Sequence, residues 1–477
     1  MRAGERMLSP GGGAGEGGKV TGVVMHAVAE VGGNADPGKV DTRKGLGMTG
    51  RGIGRRGGLF IIIVLLFTAA PLFAEGPAGE QDALRTLVQE ALDRNPELLA
   101  SELTAEAKEQ RILPAGSLPD PMLSLAFSNL PVDDFALDKE PMTSRDIGLT
   151  QAIPFPGKLS LKEEIARLEA VQAGDRVESM KNLIRFRVKK DFFLLLENRE
   201  ITRLTEKNKA LLGELLSVAN SRYAVGKAPQ QDLFKAQVEI SRLTNMLIAL
   251  RKRRVELLAD LNTLRDRPVG MPVELPGSYP VPKIGHSEEE LLDIAKESNP
   301  DLKKEKDAVK QKETALKLAR KQILPDFQVG AAYKFREDAS NGTERPDFFS
   351  AAVGISLPIW YGRKQDKEVE AAVRDLSSMQ SGYRNAWNAV RNRVRDITAD
   401  VTALTDSLSL FDTGLLPQAR ESVASSLSAY QVGEVQFSSV LLGQIALYQQ
   451  EIERERTAQG LGVRVAQLEL VLGEELF

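Results

Sequence analysis

The sequence predicts an α+β membrane protein made of two structural repeats, in which long antiparallel helices pair as coiled coils and each repeat adds two transmembrane β-strands. Three observations support this fold class. Short motifs recur in the same order, strand-length segments alternate in polarity, and long heptad patterns follow them. Such self-similarity is typical of a duplicated unit.

Four landmarks occur twice, at a spacing of about 204 to 211 residues. They are Asn95-Pro96 and Asn299-Pro300, Ile112-Leu113-Pro114 and Ile323-Leu324-Pro325, Ile153-Pro154 and Leu357-Pro358, and Tyr223-Ala-Val-Gly226 and Tyr430-Gln-Val-Gly433. They predict a first repeat over residues 80–265, a linker over residues 266–285 and a second repeat over residues 286–476.

The amino-terminal segment has the features of a secretory signal. A basic stretch precedes the apolar run Leu59–Phe67, and small residues follow up to Ala74. This run is short for a membrane span, so we interpret residues 48–74 as a signal peptide cleaved after Ala74, with an uncleaved anchor as the alternative. Residues 1–47 are Gly-rich and predict disorder or a wrongly assigned start, with translation beginning at Met48.

Composition excludes several classes of function. The chain has no cysteine and two histidines, His26 and His286, which excludes thiol chemistry and disulfides and argues against a histidine metal centre. Acidic and basic residues are interleaved and the net charge is -3, so no nucleic-acid partner is expected. No catalytic or phosphate-binding pattern is recognisable, so we expect neither an enzyme nor a cofactor. Met122 and Met142 are interpreted as apolar fillers, not metal ligands.

Heptad spacing predicts one long helical hairpin in each repeat. A helix over about residues 160–222 precedes a helix whose apolar residues recur at steps of three and four from Leu233 to Leu264. The second hairpin is predicted near residues 365–429 and 435–474. The expected seam residues at the end of the first long helix are Ile201, Leu204, Leu211, Leu215 and Val218. On the helices alone, a coiled-coil scaffold is an alternative.

Four segments of about ten residues alternate between apolar residues and small or polar ones, which is the length and period of strands in outer membrane barrels. The apolar positions are Leu123, Leu125 and Phe127; Ile147, Leu149 and Ile153; Phe327, Val329, Ala331, Tyr333 and Phe335; and Phe349, Ala351, Val353, Ile355 and Leu357. A soluble β-hairpin over a helical core is the alternative.

Four strands cannot close a membrane barrel, because the smallest use about eight and an open edge in lipid leaves backbone groups unpaired. The chain must therefore oligomerise. Two copies give eight strands around a filled interior, whereas three give twelve with room for a pore. Small inner residues such as Ser350, Gly354 and Ser356 favour the homotrimer, with a twelve-stranded β-barrel in outer membrane lipid.

Three motifs resemble those of the TolC-like outer membrane factor (outer membrane efflux protein) family, in particular its heavy-metal efflux branch. They are Asp120-Pro-Met-Leu with Ser128-Asn-Leu-Pro, Gln151-Ala-Ile-Pro-Phe-Pro-Gly-Lys158, and the paired Tyr-x-Val-Gly turns. The resemblance covers about residues 80–476. It implies an outer membrane homotrimer with a twelve-helix α-barrel in the periplasm, a periplasmic adaptor (membrane fusion) protein and an inner-membrane pump.

The strand-to-helix exits carry prolines and glycines with an architectural role. Proline cannot donate to a strand ladder, so Pro154, Pro156 and Pro358 are expected to end pairing where the chain leaves the sheet. Gly157 and Gly362 are expected to permit the bend into the long helices.

In the resembling family the two hairpin turns form the periplasmic tip, which meets the adaptor. Carried over, the adaptor-docking residues are Arg222, Tyr223, Val225, Gly226 and Lys227 in the first repeat and Tyr430, Val432, Gly433 and Glu434 in the second. Some relatives narrow the tip with aspartates after the second turn. Ser439 and Leu442 stand there in this chain, while Asp232 occupies a comparable place in the first repeat as a candidate constriction.

These expectations describe a passive exit duct for substrates that a pump delivers. The resemblance favours metal cations as substrates. Organic compounds and type I protein secretion are the alternatives, and neighbouring pump and adaptor genes would discriminate between them.

Overall fold

The structure, a computed structural model, describes residues 78–277 and 279–477. Segment 1–47, the predicted signal peptide over 48–74 and its cleavage site after Ala74 lie outside the described residues. Across the described part, the same sequence of helices and strands occurs twice.

The first repeat contains five helices and two strands: α1 Ala78–Arg94, α2 Pro96–Gln110, α3 Ile112–Gly116, β1 Met122–Ser128, β2 Ser144–Ile153, α4 Lys158–Ala224 and α5 Gln230–Leu264. The second contains α6 Glu288–Ser298, α7 Pro300–Lys321, β3 Phe327–Phe335, β4 Phe348–Ile355, α8 Gln365–Leu410, a π-helical turn Phe411–Leu415, α9 Leu416–Val432 and α10 Phe437–Leu472. Each repeat therefore supplies one strand pair and one long hairpin.

The long helices follow the heptad patterns. Helix α4 has 67 residues and is about 100 Å long at 1.5 Å per residue. The single helix expected over residues 365–429 is wrong in one respect, because the π-helical turn separates α8 from α9. Within residues 78–277 and 279–477, no helix has both the length and the apolarity required to cross a membrane.

The π-helical turn has a local cause in Pro417. Proline has no N–H to donate, and its ring would collide with the carbonyl four residues earlier, that of Thr413, in a regular helix. The chain widens by one residue instead, and the Leu416 N–H donates to the Phe411 carbonyl. The second long helix therefore contains a break that α4 does not have.

The predicted coiled-coil seam is correct except near the end of α4. Ile201, Leu204 and Leu215 are buried as expected. Leu211 and Val218 are not in the core, and Leu212 and Ala219 are buried in their place. The seam shifts by one residue after Asn208, which is buried and accepts a hydrogen bond of 2.9 Å from Gln444 of α10.

The strands form one antiparallel sheet in the order β1-β2-β3-β4. Residues aligned across the sheet share a face, because side chains alternate along each strand. One face carries apolar rows, such as Leu125, Ile147, Tyr333 and Phe349, and the other carries small residues, such as Ser124, Gly148, Ala332 and Ser350. The predicted alternation therefore holds in all four strands.

The repeated Asn-Pro motif joins helices in the same way in both repeats. Asn95 and Asn299 cap α2 and α7 by accepting backbone hydrogen bonds from the first turn. Their side-chain amides donate to the last turn of the hairpin's second helix, Asn95 to the Leu264 carbonyl and Asn299 to the Val471 carbonyl. The motif fixes the short helix against the long hairpin.

Candidate functional site

The two hairpin turns end their long helices with the same hydrogen bonds. The Lys227 N–H donates to the Arg222 carbonyl at 2.8 Å, and the Glu434 N–H donates to the Ala429 carbonyl at 2.9 Å. Gly226 and Gly433 have φ values of 73° and 91°, as predicted for helix ends. Since glycine has no Cβ, it adopts this conformation without strain.

Arg222 connects the two turns. Its guanidinium donates to the Tyr430 and Gln431 carbonyls and lies 4.7 Å from the centre of the Tyr430 ring. A Cβ added at Gly433 would lie 3.5 Å from the same guanidinium. Sequence reasoning placed Arg222 at the tip but missed this contact between the repeats, because no local pattern shows which carbonyls a long side chain reaches.

The two tip tyrosines differ in their surroundings. Tyr430 is buried and packs against Phe437 at 5.6 Å between ring centres, whereas Tyr223 is exposed. Burial raises the pKa of Tyr430 above its usual value, and the nearby Asp232 carboxylate acts in the same direction against Arg222. The candidate constriction residue Asp232 is itself nearly buried, in the first turn of α5.

The two turns at the tip expose apolar side chains next to the turn glycines. Val225 and Val432 are 67% and 73% exposed, one residue before each turn glycine. No atom outside its immediate neighbours lies within 4 Å of a Cβ built at Gly226. The first turn therefore has open space around its glycine, whereas Tyr430 in the second turn is buried.

The strand exits match the expected roles in part. Pro154 follows the last residue of β2, and Gly157 has a φ of 86° at the start of α4. Pro156 precedes that bend, and Pro358 follows β4 by three residues. Gly362 does not have a positive φ, so its backbone conformation does not itself require glycine.

A buried lysine fixes the first exit. The Lys158 ammonium donates to Asp326 and to the Leu324 carbonyl, both at 2.8 Å, and the Phe155 N–H donates to Asp326 at 2.7 Å. Burial disfavours the charged form of Asp326, but these hydrogen bonds outweigh it and hold the pKa of Asp326 below its usual value. This pair, which joins the start of α4 to the start of β3, was not predicted.

Within the described ranges, no cluster of three or more His, Asp or Glu side chains could hold a metal ion.

The sequence of this chain matches the family model described as outer membrane efflux protein over residues 87–265 and 291–474. The two matched segments lie within the two predicted repeats. The chain belongs to the outer membrane efflux protein family.

Curated relatives match across most of the chain. The outer membrane protein TolC of Vibrio cholerae is 22% identical over 363 residues, which cover 71% of this chain and 80% of that protein. The cobalt-zinc-cadmium resistance protein CzcC of Cupriavidus metallidurans is 22% identical over 390 residues, which cover 80% of this chain and 87% of that protein.

Solved structures share the fold. The outer membrane protein VceC from Vibrio cholerae aligns with a TM-score of 0.71 and 14% identity, covering 84% of this chain and 98% of that chain. CusC aligns with a TM-score of 0.67 and 17% identity, covering 82% and 92%.

These matches confirm the predicted family and the outer membrane location with a periplasmic helical barrel. The similarity to CzcC and CusC supports the predicted resemblance to the heavy-metal branch. Members of this family are efflux channels, which is consistent with a protein that is not an enzyme.

Proposed function

We propose that this chain is the outer membrane exit duct of a tripartite efflux system, assembled as a homotrimer, and that it passively conducts metal cations delivered by an inner-membrane pump through a periplasmic adaptor. The observation that carries this proposal is the pair of hairpin turns at the end of two very long hairpins, which present exposed valines and turn glycines at positive φ. Family membership supports the adaptor and the pump as the class of partner.

The sheet supports assembly with other copies. Strands β1 and β4 are its two edges, and each pairs with a single neighbour. Unpaired backbone groups are strongly unfavourable in lipid, so each edge needs another strand. Pairing β4 of one copy with β1 of the next would close three sheets into a ring of about twelve strands.

The helices leave a matching surface open. Helix α10 packs against both α4 and α8, whereas α5 packs mainly against α4. An exposed apolar stripe follows α5: Phe234, Val238, Ile248 and Val255. Aligning Gly226 with Gly433 places Phe234 at the position of Leu441, which is buried in α10 one turn before Gln444. Phe234 therefore occupies the position of a residue that is buried in α10, and a second copy's long helix would cover the stripe.

The metal cargo is supported by similarity alone. The sequence motifs resemble the heavy-metal branch, and the curated relative CzcC is a cobalt-zinc-cadmium resistance protein. A duct receives what its pump delivers, so this part of the proposal is tested in the native host. Deleting the gene should sensitise cells to cobalt, zinc or cadmium salts. Sensitivity to organic toxicants with unchanged metal tolerance would instead establish the alternative cargo.

Adaptor docking is tested by Gly433→Val. A β-branched residue at positive φ is strained by about 1 to 2 kcal/mol, which a trimer can absorb, while the added side chain obstructs the turn. We expect normal assembly in the outer membrane and loss of efflux.

Gly342→Val is the matched control for this variant. Gly342 has a φ of 84° and open surroundings in the β3–β4 loop, far along the chain from the tip. It should carry the same strain without loss of efflux. Full efflux by assembled Gly433→Val would show that the turns are only helix caps.

A further inference from the structure

Two contacts hold the chain where it leaves β2 and enters α4, the first strand exit. Among the described residues, the corresponding contacts are not formed where the chain leaves β4 and enters α8, the second strand exit. Between β2 and α4, Phe155 stacks on Phe327 at 6.3 Å between ring centres, and Lys158 binds Asp326 at 2.8 Å. Both partners lie at the start of β3, the strand paired with β2. The exit is therefore fixed by the strand beside it.

The sequence places the same types of residue at the remaining exit and the remaining strand start. Ile359 follows Pro358 as Phe155 follows Pro154, and Arg363 follows Gly362 as Lys158 follows Gly157. Asp120 follows Pro119 as Asp326 follows Pro325, and Met122 begins β1 as Phe327 begins β3. The sequence therefore contains residues for a second apolar pair, Ile359 with Met122, and for a second ion pair, Arg363 with Asp120.

Within one copy these residues cannot meet, because β4 and β1 are opposite edges of the sheet. Ile359 and Met122 are 70% and 60% exposed. In the described part of the chain, the side chains of Asp120 and Arg363 form neither a hydrogen bond nor an ion pair, and both are exposed. Asp120 lies in an open groove of 990 Å³ between α3 and α4 that is also lined by Leu113 and Leu118.

We propose that the β4–α8 connection of one copy docks into the α3–β1 groove of the next copy, with Arg363 paired to Asp120 and Ile359 packed on Met122. The charges are complementary, and the exposed apolar residues Ile359 and Trp360 face a groove with exposed leucines. The contact adjoins the β4 and β1 edges, so it continues the strand pairing of the proposed homotrimer, on which it rests.

Three other basic side chains lie near the two members of the proposed ion pair. Arg111 and Lys162 line the same groove as Asp120, but neither forms an ion pair with it. Lys364, next to Arg363, lines a separate cavity of 550 Å³ with Asp326 and Lys158 of its own chain. Of these two adjacent cations, Arg363 does not line that cavity, and we assign it to the contact with the next copy.

Cysteine cross-linking tests the pairing, because the chain has no cysteine of its own. With Asp120→Cys and Arg363→Cys in the full chain in outer membranes, a bifunctional methanethiosulfonate reagent as long as an arginine side chain should yield a reducible covalent trimer as the main product. The reagent is needed because residues that meet through a long arginine hold their Cβ atoms too far apart for a direct disulfide. Combining Asp120→Cys with Lys364→Cys is the matched control and should give much less. The same reagent should bridge the pair Lys158→Cys and Asp326→Cys within one chain, which should run as a monomer after denaturation.

Charge exchange gives a second test that needs no disulfide. Asp120→Arg and Arg363→Asp should each lower the temperature at which the detergent-solubilised trimer dissociates, and the double variant should recover most of that loss. A trimer by native mass that neither cross-links nor shows this recovery would overturn the pairing and leave the duct intact. A native mass of two or four copies would overturn the proposed homotrimer itself.

Discussion

The long helices of the two repeats occupy different environments although they arise from the same unit. Helix α4 is continuous and packs against α5, α7 and α10 of its own chain. The corresponding α8 and α9 are separated by a π-helical turn and leave much of their surface exposed. Duplication thus supplies one fold, and the packing partners within the chain determine how much of each repeat's long helix is buried.

The difference extends to the polar contacts of each helix. The buried contacts of α4 reach α10, as in the hydrogen bond of 2.8 Å between Thr205 and Tyr448. Near the π-helical turn, Asp412 instead forms an exposed ion pair with Arg454 at 3.0 Å. Exposed pairs contribute about 0 to 1 kcal/mol, so the second long helix is held less firmly at its midpoint.

The largest expected effect concerns a buried ion pair between the two repeats. Lys189 of α4 and Glu469 of α10 are 2.7 Å apart and nearly fully buried. Lys189→Met leaves Glu469 buried without its cation, which should lower stability by about 3 to 5 kcal/mol. Thermal and denaturant unfolding in detergent measure this. The control Lys181→Met, which removes an exposed pair with Glu178, should change stability by less than about 1 kcal/mol.

The same variant has a defined pH dependence. Burial raises the pKa of Glu469 above its usual value against the opposing effect of Lys189. A carboxyl whose folded-state pKa is raised binds protons more tightly when folded, so its contribution to stability falls as pH rises through that range. Without Lys189 the pKa rises further. The stability deficit of Lys189→Met should therefore shrink as the solution is acidified, and a deficit that grows would contradict the assignment.

The next largest loss of stability is expected from a proline introduced into α4. It tests whether a long helix tolerates proline only where it has a π-helical turn. The spacing that aligns Gly226 with Gly433 places Ala210 at the position of Pro417. Ala210→Pro enters a regular part of α4 and should cost about 3 kcal/mol. Pro417→Ala restores the missing donor and should slow amide exchange over Phe411–Leu415. If Ala210→Pro were neutral, the break in the second helix would need another cause.

Sequence reasoning recovered the features that depend on local pattern. The alternation at Leu123 and Leu125 and the heptads from Leu233 gave strands and helices close to those observed. It missed features decided by tertiary partners, such as the shift of the seam after Asn208 and the reach of Arg222 to Tyr430. Polar residues in a seam carry no periodic signal of their own, because the partner that satisfies them lies far away in sequence.

The π-helical turn and the Lys158–Asp326 pair were missed for related reasons. A proline in a heptad pattern signals a break, but not whether the helix kinks, ends or widens by one residue. A lysine at a helix start suggests a solvated charge until the facing strand is known. Both features therefore depend on tertiary contacts that the local pattern does not contain.

A smaller loss of stability is expected from a substitution at the end of α10, which corresponds to the end of α5 in the first repeat. Gly473 has a φ of 80°, and a Cβ there would lie 2.7 Å from the Ser298 carbonyl oxygen. Gly473→Ala combines backbone strain with a clash against the Asn299 segment, so it should lower stability by about 2 kcal/mol. Unfolding measurements on the purified protein decide this. An effect below about 0.5 kcal/mol would mean that the α6–α7 junction is not fixed there.

The smallest effect comes from the matching end of the first repeat. Asp266, aligned with Gly473, has a φ of 49° and an exposed side chain, so the same backbone conformation is held here by a residue with a Cβ. Asp266→Gly removes that strain but adds freedom to the unfolded chain, which partly offsets the gain. We expect stability to rise by at most about 1 kcal/mol, measured by the unfolding midpoint. Asp266→Ala, which lacks the local hydrogen-bonding that favours aspartate at positive φ, should be destabilising. If alanine and glycine were equivalent at this position, the positive φ would contribute nothing to the difference between the two helix ends.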